Sequence, residues 1–420
     1  MKKSHWIALL AAAAVFALGC GSKDESKEPS SKEGVSSSTT DPIRIGIACP
    51  VTGSAAAFGR QIKMGAELAR DQINDAGGIN GRMIEFRIED DEGKDSQATT
   101  VANRLANDNS IVAVVGHFNS TCSAAGREIY KQAGILQFSP GSTNIDICRL
   151  SEWTFRNLYH DGYQGISVAR YIKNVLGHDS AAVFYDDDDY GLGLRDAFAA
   201  EARKIGLEIV VNESYTREVT LDYAVALDKV EARNADIIFI SGLYNEGAAI
   251  AKQAMDKNIN IPFLGADGLY SPELINLGED AVEGMLLTTP FIVHPDVGGK
   301  IAQDFLKAFQ AKYNEDPDTW AALTYDAVNM VADAIQKVGT DRTAIRDHFA
   351  SIMSPEDAFE GVTGLTYFDE HGDCPKKAYV AVVQDGIFQP APEQLPDEMD
   401  TSNEEEASEG GEMSEEMGAE

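Results

Sequence analysis

The chain has 420 residues, a formal net charge of −33 and an apolar content of 44%. This length suggests two or three domains, or two large lobes. The strong negative charge argues against nucleic acid as a partner and against charge-driven attachment to anionic lipid. The 5 cysteines form neither a disulfide scaffold nor a CxxC or Cys/His cluster at zinc spacing, so we expect no metal centre and no cofactor.

The first 20 residues have the pattern of a secretory signal. Lys2 and Lys3 are followed by an apolar stretch, residues 7–18, that is too short to span a membrane. The stretch ends at Cys20 and resembles a bacterial lipoprotein signal in which this cysteine receives lipid. A plain secretory signal and an uncut signal anchor are the alternatives. Residues 21–41 are rich in Ser, Lys, Glu and Gly, so we expect a flexible tether.

From residue 43 onward, short apolar strands alternate with amphipathic helices. We predict strands at 43–48, 83–89, 111–115 and 135–138, and helices at 61–74, at 95–107 and, after an N-cap at Ser120 or Thr121, up to about Gln132. This βαβαβαβ order is the signature of a doubly wound α/β lobe.

A second run of the same kind follows. It predicts helices at 164–176, 192–205, 223–233 and 248–257, and strands at 181–185, 208–211, 236–241 and 263–266. A third block predicts helices at 301–313 and 321–337 and strands at 366–369 and 378–384. The chain then becomes rich in Pro and acidic residues, which predicts a disordered acidic tail at 391–420.

Two turns rich in hydroxyl groups follow successive predicted strands, at residues 117–121 and 139–143. In open parallel sheets, the carboxyl ends of the strands form the edge where ligands bind. The helix that begins after the first turn offers free N–H groups and positive potential, which suit a carboxylate or a phosphate. The alternative is an ordinary βαβ unit whose polar residues only cap helices.

An ordered set of short motifs carries a family resemblance across residues 42–388. The motifs are Ile45-Gly-Ile, Gly53, Phe58-Gly59, Gly65-Ala-Glu-Leu-Ala69, Ile73-Asn74, Gly77-Gly-Ile-Asn-Gly81, Gly116-His117, Ser139-Pro140, Tyr185-Asp186, Tyr190-Gly191, Gly265-Ala-Asp-Gly268, Glu283-Gly284 and Tyr325-Asp-Ala327. The chain thereby resembles type I periplasmic binding proteins, and most closely the branched-chain amino acid (leucine/isoleucine/valine) binding proteins of ABC importers.

The resemblance implies two doubly wound parallel-sheet lobes joined by a three-crossing hinge. Lobe one would comprise 42–159 and 291–363, and lobe two 160–290 and 364–390. Ligand would sit in the cleft between the lobes and close the hinge through its higher affinity for the closed state.

The resemblance also implies where the α-carboxylate of an amino acid binds. The matching positions are Ser120, Gly141 and Thr143, with Phe118 and Asn119 beside them. Hydroxyl groups and a helix N-terminus can replace water around an anion, so the chemistry is sound by itself. A capping role alone is the alternative.

The matching position for the ammonium group is Asp267, where the family often has Glu, and Tyr190 is expected to pack on the ligand nearby. The alternative for Asp267 is to cap its own turn. The run 186–189 contains four aspartates, which raises the possibility of calcium, but the run lacks the spacing of an EF-hand loop. A solvated loop is the favoured interpretation there.

The implied pocket walls are aromatic. Phe58 and Trp320 match wall positions, although either could be ordinary core. Another wall position falls on Tyr244 or, one residue earlier, on Leu243, and Glu246 could also face the cleft.

The remaining cysteines and His117 leave two further questions. Cys49 and Cys122 follow strands expected to be neighbours, so a disulfide between them is one possibility, and Cys148 with Cys374 would form the other pair by elimination. Free buried thiols are the alternative. Motifs of metalloproteases, α/β-hydrolases and P-loop enzymes are missing, and His117 has no paired nucleophile, so the chain is not expected to be an enzyme.

The favoured interpretation is a monomeric solute-binding lipoprotein of the cell envelope that captures a small amino acid, branched-chain or otherwise apolar, for the permease of an ABC importer. The membrane would be reached only through the lipid. The alternatives are a receptor for another small carboxylate or amide, a sensory ligand-binding domain, and an extracytoplasmic α/β enzyme that uses His117.

Overall fold

The computed structural model describes residues 41–295 and 297–396. The predicted signal, the lipid site at Cys20, the tether up to residue 40 and the tail beyond 396 lie outside the described residues. No helix in the described part of the chain is long and apolar enough to cross a membrane.

The strands are short, and those at the centres of the sheets are buried along their whole length. In chain order they are β1 (Ile43–Cys49), β2 (Ile84–Asp90), β3 (Ile111–Gly116), β4 (Leu136–Ser139), β5 (Thr154–Arg156), β6 (Ser180–Asp186), β7 (Glu208–Tyr215), β8 (Ile237–Ser241), β9 (Phe263–Gly265), β10 (Leu286–Thr289), β11 (Phe359–Gly361), β12 (Gly364–Thr366), β13 (Tyr379–Gln384) and β14 (Ile387–Pro390).

The helices cover the two faces of the sheets. In chain order they are α1 (Ala56–Asp75), α2 (Asp95–Ala106), α3 (Ser120–Ala133), α4 (Asp146–Arg149), α5 (Asp161–Arg170), α6 (Asp189–Ile205), α7 (Ala224–Arg233), α8 (Tyr244–Asp256), α9 (Pro272–Gly278), α10 (Gly299–Tyr313), α11 (Thr319–Val338) and α12 (Arg342–Ala350). A π-helical turn at Tyr171–Val175 continues α5, and short 3-10 turns lie at Asp267–Leu269 and Glu279–Val282.

Two sheets organise the described chain. The first has five parallel strands in the order β2-β1-β3-β4-β5, and the second has seven in the order β14-β13-β10-β9-β8-β6-β7. Strands β6 to β10 pair in parallel, whereas β13 and β14 add an antiparallel edge. All six residues of β3 are buried, as expected for a central strand of a parallel sheet with helices on both faces. The predicted α/β class with two parallel-sheet lobes is confirmed.

The chain passes between the two sheets three times, after β5, after β10 and after β12. After the second passage it forms α11, which packs against α1 beside the first sheet. After the third it adds β13 and β14 to the second sheet. The start of the first passage is bonded to the third, because the backbone N–H of Arg156, at the end of β5, donates to the Gly372 carbonyl at 3.1 Å.

Several predicted elements differ from the structure. The strand predicted at 366–369 is wrong, because the chain there leaves the hairpin β11–β12. Asp326 holds this hairpin by accepting hydrogen bonds from the backbone N–H groups of Val362 and Thr363, both 2.8 Å long. Strand β10 and helices α9 and α12 were not predicted, since each is short or lacks a clear apolar period.

The prediction of disorder from Ala391 is also wrong for residues 391–396. Ala391 and Leu395 are buried in the core of the second lobe. The side-chain amide of Gln394 bonds both backbone groups of Val380, at 2.9 and 2.7 Å, and thereby extends the edge ladder of β13 beyond β14. Composition alone predicted disorder, whereas two buried apolar residues, the Gln394 amide and a bond from the Tyr171 hydroxyl to the Glu393 carbonyl at 2.8 Å dock this segment.

Candidate functional site: a cavity between the two sheets

A small cavity lies where the loops after the strands of both sheets meet. The residues that line it are Phe118, Asn119, Ser120, Gly141, Tyr190, Leu243, Asp267, Gly268 and Trp320. All but Trp320 follow the carboxyl end of a strand, β3, β4, β6, β8 or β9, which is where ligands bind in open parallel sheets. The structure thus brings together seven of the ten residues predicted to bind ligand.

The first polar turn carries Ser120 into the cavity as the first residue of α3. The residue before the helix is Asn119, in an extended conformation and without a side-chain bond to the first turn. The predicted caps Ser120 and Thr121 are therefore wrong. Because no side chain covers this helix end, the N–H groups of its first turn remain available beside the Ser120 hydroxyl.

The second polar turn is tied to the first. The Ser139 hydroxyl donates to the His117 carbonyl at 2.7 Å and accepts from the Ser142 N–H at 2.9 Å. Gly141 must be glycine, since a Cβ there would lie 2.3 Å from the Phe118 ring. Thr143 is buried next to this turn but is not among the residues that line the cavity.

Asp267 lines the cavity, and its charge acts on a second buried carboxyl group, that of Asp161. Asp267 is 1% exposed, and its Oδ1 accepts from the Tyr190 hydroxyl at 2.7 Å, whereas Oδ2 has no hydrogen-bond partner among the described residues. Burial raises the pKa of Asp267 to about 6. A carboxyl group in this environment is stabilised in its ionised form by a cation.

Asp161 is the second of these groups, and the sequence analysis missed it. It is 1% exposed, and neither carboxyl oxygen has a hydrogen-bond partner of good geometry in the described chain. Burial raises its pKa well above the usual value, and the charge of Asp267 raises it further, while the nearby Thr143 hydroxyl opposes the shift. The only sequence signal was an acidic residue in the first turn of α5, which is common at exposed helix ends.

An aromatic wall closes the other side of the cavity. Phe118 packs edge-on against Trp320 at 4.9 Å between ring centroids, and Phe58 lies behind both, at 4.6 Å from Phe118 and 5.8 Å from Trp320. Phe58 is fully buried and supports the wall without lining the cavity. This wall offers no hydrogen bond to a ligand, because the Trp320 indole N–H already donates to the Tyr270 carbonyl at 3.0 Å.

The prediction that Tyr244 lines the pocket is wrong, because the residue before it in the chain takes that place. Leu243 lines the cavity, whereas the Tyr244 hydroxyl donates to the Ser54 carbonyl at 2.7 Å. Glu246 is buried within the second lobe, near Arg217 and the backbone of Glu218, and does not line the cavity. An apolar side chain therefore faces the ligand at the position where the resemblance implied a tyrosine.

His117 does not face the cavity as a base. Its ring is fully buried, with Nδ1 at 2.6 Å from Asp91 Oδ2 and Nε2 at 3.1 Å from the Tyr130 hydroxyl. Both ring nitrogens are occupied, so this histidine holds β3 against the helix that follows.

Three of the four aspartates at 186–189 have local partners for their side chains. Arg217 bridges Asp186 and Asp188, and Asp188 also caps α6 by accepting from the Gly191 N–H at 2.9 Å. The Thr216 hydroxyl donates to Asp187 at 2.7 Å. These contacts account for the acidic run as part of the second lobe's own structure.

The two predicted disulfides are wrong. Cys49, Cys122, Cys148 and Cys374 are all free and buried in the structure. The Cys49 thiol lies 3.9 Å from the Gly59 carbonyl, and the Cys148 thiol bonds Asp373 rather than the adjacent Cys374. Two cysteines on neighbouring elements do not form a disulfide by that fact alone, because the bond needs their two Cβ atoms to face each other at short range.

Comparisons with known proteins agree with this architecture. The model of a periplasmic binding protein family matches residues 42–387. The chain is 32% identical over 340 residues to Leu/Ile/Val-binding protein homolog 1 of Brucella abortus, which covers 80% of this chain and 89% of the relative. It is 32% identical over 339 residues to the leucine-, isoleucine-, valine-, threonine- and alanine-binding protein of Pseudomonas aeruginosa, which covers 80% and 88%.

Solved structures give the same result. The leucine binding protein LivK from Thermotoga maritima superposes with a TM-score of 0.79 at 28% identity, over 85% of this chain and 99% of that chain. The substrate binding protein LivJ from Streptococcus pneumoniae, in complex with isoleucine, superposes with a TM-score of 0.78 at 30% identity, over 84% and 99%.

Proposed function

Because the chain belongs to the periplasmic binding protein family, we propose that it is an extracytoplasmic receptor that captures a small apolar amino acid by closure of its two lobes. The receptor would deliver this ligand to the permease of an ABC importer. No chemistry on the ligand is involved.

One observation carries the proposal: the buried acid Asp267 and two hydroxyl-bearing turns meet at a single small cavity, and Asp161 is buried near enough to Asp267 for their charges to interact. Asp267 and Asp161 suit an ammonium group, which would satisfy carboxyl oxygens that have no other partner. Ser120, the N–H groups of the first turn of α3 and the turn at Gly141 suit a carboxylate. A zwitterion with both groups on one carbon matches this arrangement better than a simple acid or an amide does.

The aromatic wall supports an apolar ligand side chain. Phe118, Trp320 and Leu243 offer carbon surface and no free hydrogen-bonding group, so a polar side chain would lose its hydration without compensation. Similar proteins named for leucine, isoleucine and valine support the same ligand class.

The attachment and the partner belong to the same proposal. Lipid on Cys20 and a tether at residues 21–41 would keep a monomeric receptor at the membrane while its two lobes, 42–159 with 291–363 and 160–290 with 364–390, open and close. The permease of the importer would recognise the closed form.

The test is a thermal-shift screen of the chain from Gly21 to Glu420 after unfolding and refolding to remove bound ligand. The panel holds the standard amino acids, benzoate, acetamide and urea. Ligand at about a hundred times its dissociation constant adds about 2.7 kcal/mol to the free energy of unfolding, which is a readable shift. We expect leucine, isoleucine or valine to give the largest shift.

The matched pair of variants is Asp267→Asn at the cavity and Asp280→Asn on the exposed surface. The first should remove the shift and the second should retain it. A shift with benzoate or urea alone would contradict the amino-acid assignment and leave a receptor of another class. No shift with any compound, in a folded protein, would favour a sensory domain for a ligand outside the panel.

A further inference from the structure

The strand β5 ends in an arginine that is buried at the junction of the two lobes. Arg156 is 0% exposed, and its guanidinium contacts two segments that are more than 200 residues apart along the chain. On one side lies the turn at residues 142–145, which follows the second polar turn of the cavity. On the other lies Asp373, in the third passage between the sheets.

The contacts with the turn are made to its carbonyl groups. Nη1 donates to the carbonyls of Ser142 at 3.0 Å and Asn144 at 2.9 Å, and Nη2 donates to the carbonyl of Ile145 at 3.4 Å. A peptide group is planar and trans, so a carbonyl that points at Arg156 directs the next N–H to the opposite side. Arg156 therefore turns the N–H of Thr143 away from itself.

The contact with Asp373 holds the third passage. The Arg156 Nε donates to Asp373 Oδ1, and the Arg156 backbone N–H donates to the Gly372 carbonyl at 3.1 Å. Gly372 has a φ of 92°, and a Cβ there would lie 2.7 Å from the Thr154 carbonyl, so only glycine allows this approach. Burial raises the pKa of Asp373, but the charge of Arg156 more than offsets this and holds the pKa below its usual value.

We propose that Arg156 and Asp373 form a positioning pair, in which Arg156 holds the turn at residues 141–145, whose Gly141 lines the cavity, in place for the ligand carboxylate and ties that turn to the third passage of the hinge. The inference rests on the proposed function, since it assigns how one half of that site is held. Arg156 itself lies behind the turn and is not among the residues that line the cavity.

The planar fork of arginine is essential to this role. A lysine keeps the charge, but its three N–H donors radiate from one nitrogen on a flexible stem, so they cannot reproduce the planar fork that spans three carbonyls on one side and the Asp373 carboxylate on the other. Arg156→Lys should therefore loosen the turn while leaving a cation opposite Asp373.

A matched control exists at the other end of the same sheet. Arg342, at the start of α12, donates to the carbonyls of Ile111 at 2.9 Å, Asp108 at 2.9 Å and Ala133 at 3.5 Å. Arg342→Lys loses the same kind of contact at the amino end of β3, away from the cavity. It should reduce the melting temperature without weakening ligand binding.

The experiment is titration calorimetry with L-leucine on the folded chain from Gly21 to Glu420. We expect Arg156→Lys to weaken binding by about tenfold or more, the loss that removal of one charge-assisted hydrogen bond produces, and Arg342→Lys to leave binding unchanged. Wild-type protein that does not bind L-leucine would overturn the proposed function and this inference together. Wild-type binding with equal affinity in Arg156→Lys would overturn the inference alone.

A double-mutant cycle with Ser120→Ala separates positioning from general destabilisation, because the Ser120 hydroxyl lines the cavity and accepts from the Asn144 N–H of the turn at 3.2 Å. If Arg156 acts through the turn, the Ser120 hydroxyl contributes less once the turn is misplaced, so the two losses should not add. Additive losses would overturn the inference. If Arg156→Lys does not fold, Asp373→Asn replaces it in the same cycle. This variant weakens the anchor of Arg156 but keeps the guanidinium, and its loss of binding free energy should likewise not add to that of the second substitution.

Discussion

At the scale of single residues, the site is defined by carboxyl groups that burial holds away from water. Burial raises the pKa of Asp267 to about 6 and that of Asp318 to about 7, and it raises the pKa of Asp161 well above the usual value. Asp318 caps α11 through the N–H groups of Trp320 and Ala321, at 2.9 and 3.0 Å. Asp267 and Asp161 each have a carboxyl oxygen without a hydrogen-bond partner among the described residues, which supports their proposed role opposite an ammonium group.

These pKa values predict how stability depends on pH. A carboxyl group whose folded pKa is raised stabilises the fold below its unfolded pKa, near 4, and this contribution is lost as the pH rises through the folded pKa. For Asp267 the shift from 3.8 to about 6 corresponds to about 3 kcal/mol. The ligand-free protein should therefore be less stable at about pH 7.5 than at about pH 5.

Urea unfolding of wild type and Asp267→Asn at both pH values checks this. The asparagine variant should lose part of the pH dependence, because it has no proton to release. Leucine should stabilise the wild type more at the higher pH, where the carboxyl groups are ionised and pair with the ammonium. Identical pH dependence in wild type and variant would show that Asp267 is not the titrating group.

At the scale of elements, the position of the aromatic wall depends on the contact between α1 and α11. Gly65 of α1 lies so close to α11 that a Cβ there would be 2.2 Å from the Ala321 carbonyl. Ala321 follows Trp320, so the two helices and the wall residue are packed as one unit. Phe58, which supports the wall, lies seven residues before Gly65 on the same helix, two turns away.

Gly65→Ala should therefore affect both stability and binding. The new methyl group has to push α11 outward, which costs about 1–3 kcal/mol for overpacking a close helix contact. Trp320 would move with α11, so leucine binding should weaken several-fold. Lys63→Ala, on the exposed face of α1, is the control and should change the free energy of unfolding by less than about 0.5 kcal/mol. Urea unfolding and calorimetry measure both effects, and a fully stable Gly65→Ala would contradict the close packing.

At the scale of the whole molecule, loops of the two lobes are joined by direct hydrogen bonds around the cavity. The side chains of Tyr244 and Asn245 both donate to the Ser54 carbonyl, at 2.7 and 2.8 Å, and Asn144 donates to the Asp189 carbonyl at 2.7 Å. These contacts and the hydrogen bond from Trp320 to Tyr270 join the two lobes, so the molecule is closed over its cavity. Opening the hinge has to break them.

Removing the bonds to Ser54 should favour the open form. Each neutral hydrogen bond contributes about 0.5–1.5 kcal/mol, so the double variant Tyr244→Phe/Asn245→Ala should bind leucine roughly tenfold more weakly, mainly through faster dissociation. Stopped-flow kinetics measures the rate, and X-ray scattering measures compaction on addition of leucine. Asn103→Ala removes an exposed side-chain bond within α2 and is the control. Unchanged dissociation in the double variant would mean that closure does not depend on these contacts.

Family membership confirms the predicted recognition and the prediction that this chain is a binding protein rather than an enzyme. The lipid anchor, the permease partner and the monomeric state remain predictions. The polar turns at 117–121 and 139–143 were predictable because strand ends of a parallel sheet converge, whatever the details of packing.

The sequence by itself determined the order of elements, the α/β class and the region of the site, because buried strands, amphipathic helices and strand-end turns are local patterns. Only the tertiary structure decided that Asp161 stands beside Asp267 and that Leu243 rather than Tyr244 faces the cavity. It also decided that the four thiols are unpaired and that Leu395 is buried. Most of these outcomes depend on side chains that approach one another from segments far apart in the chain. The choice between Leu243 and Tyr244 depends on how the start of α8 is rotated relative to the cavity. A local sequence pattern encodes neither.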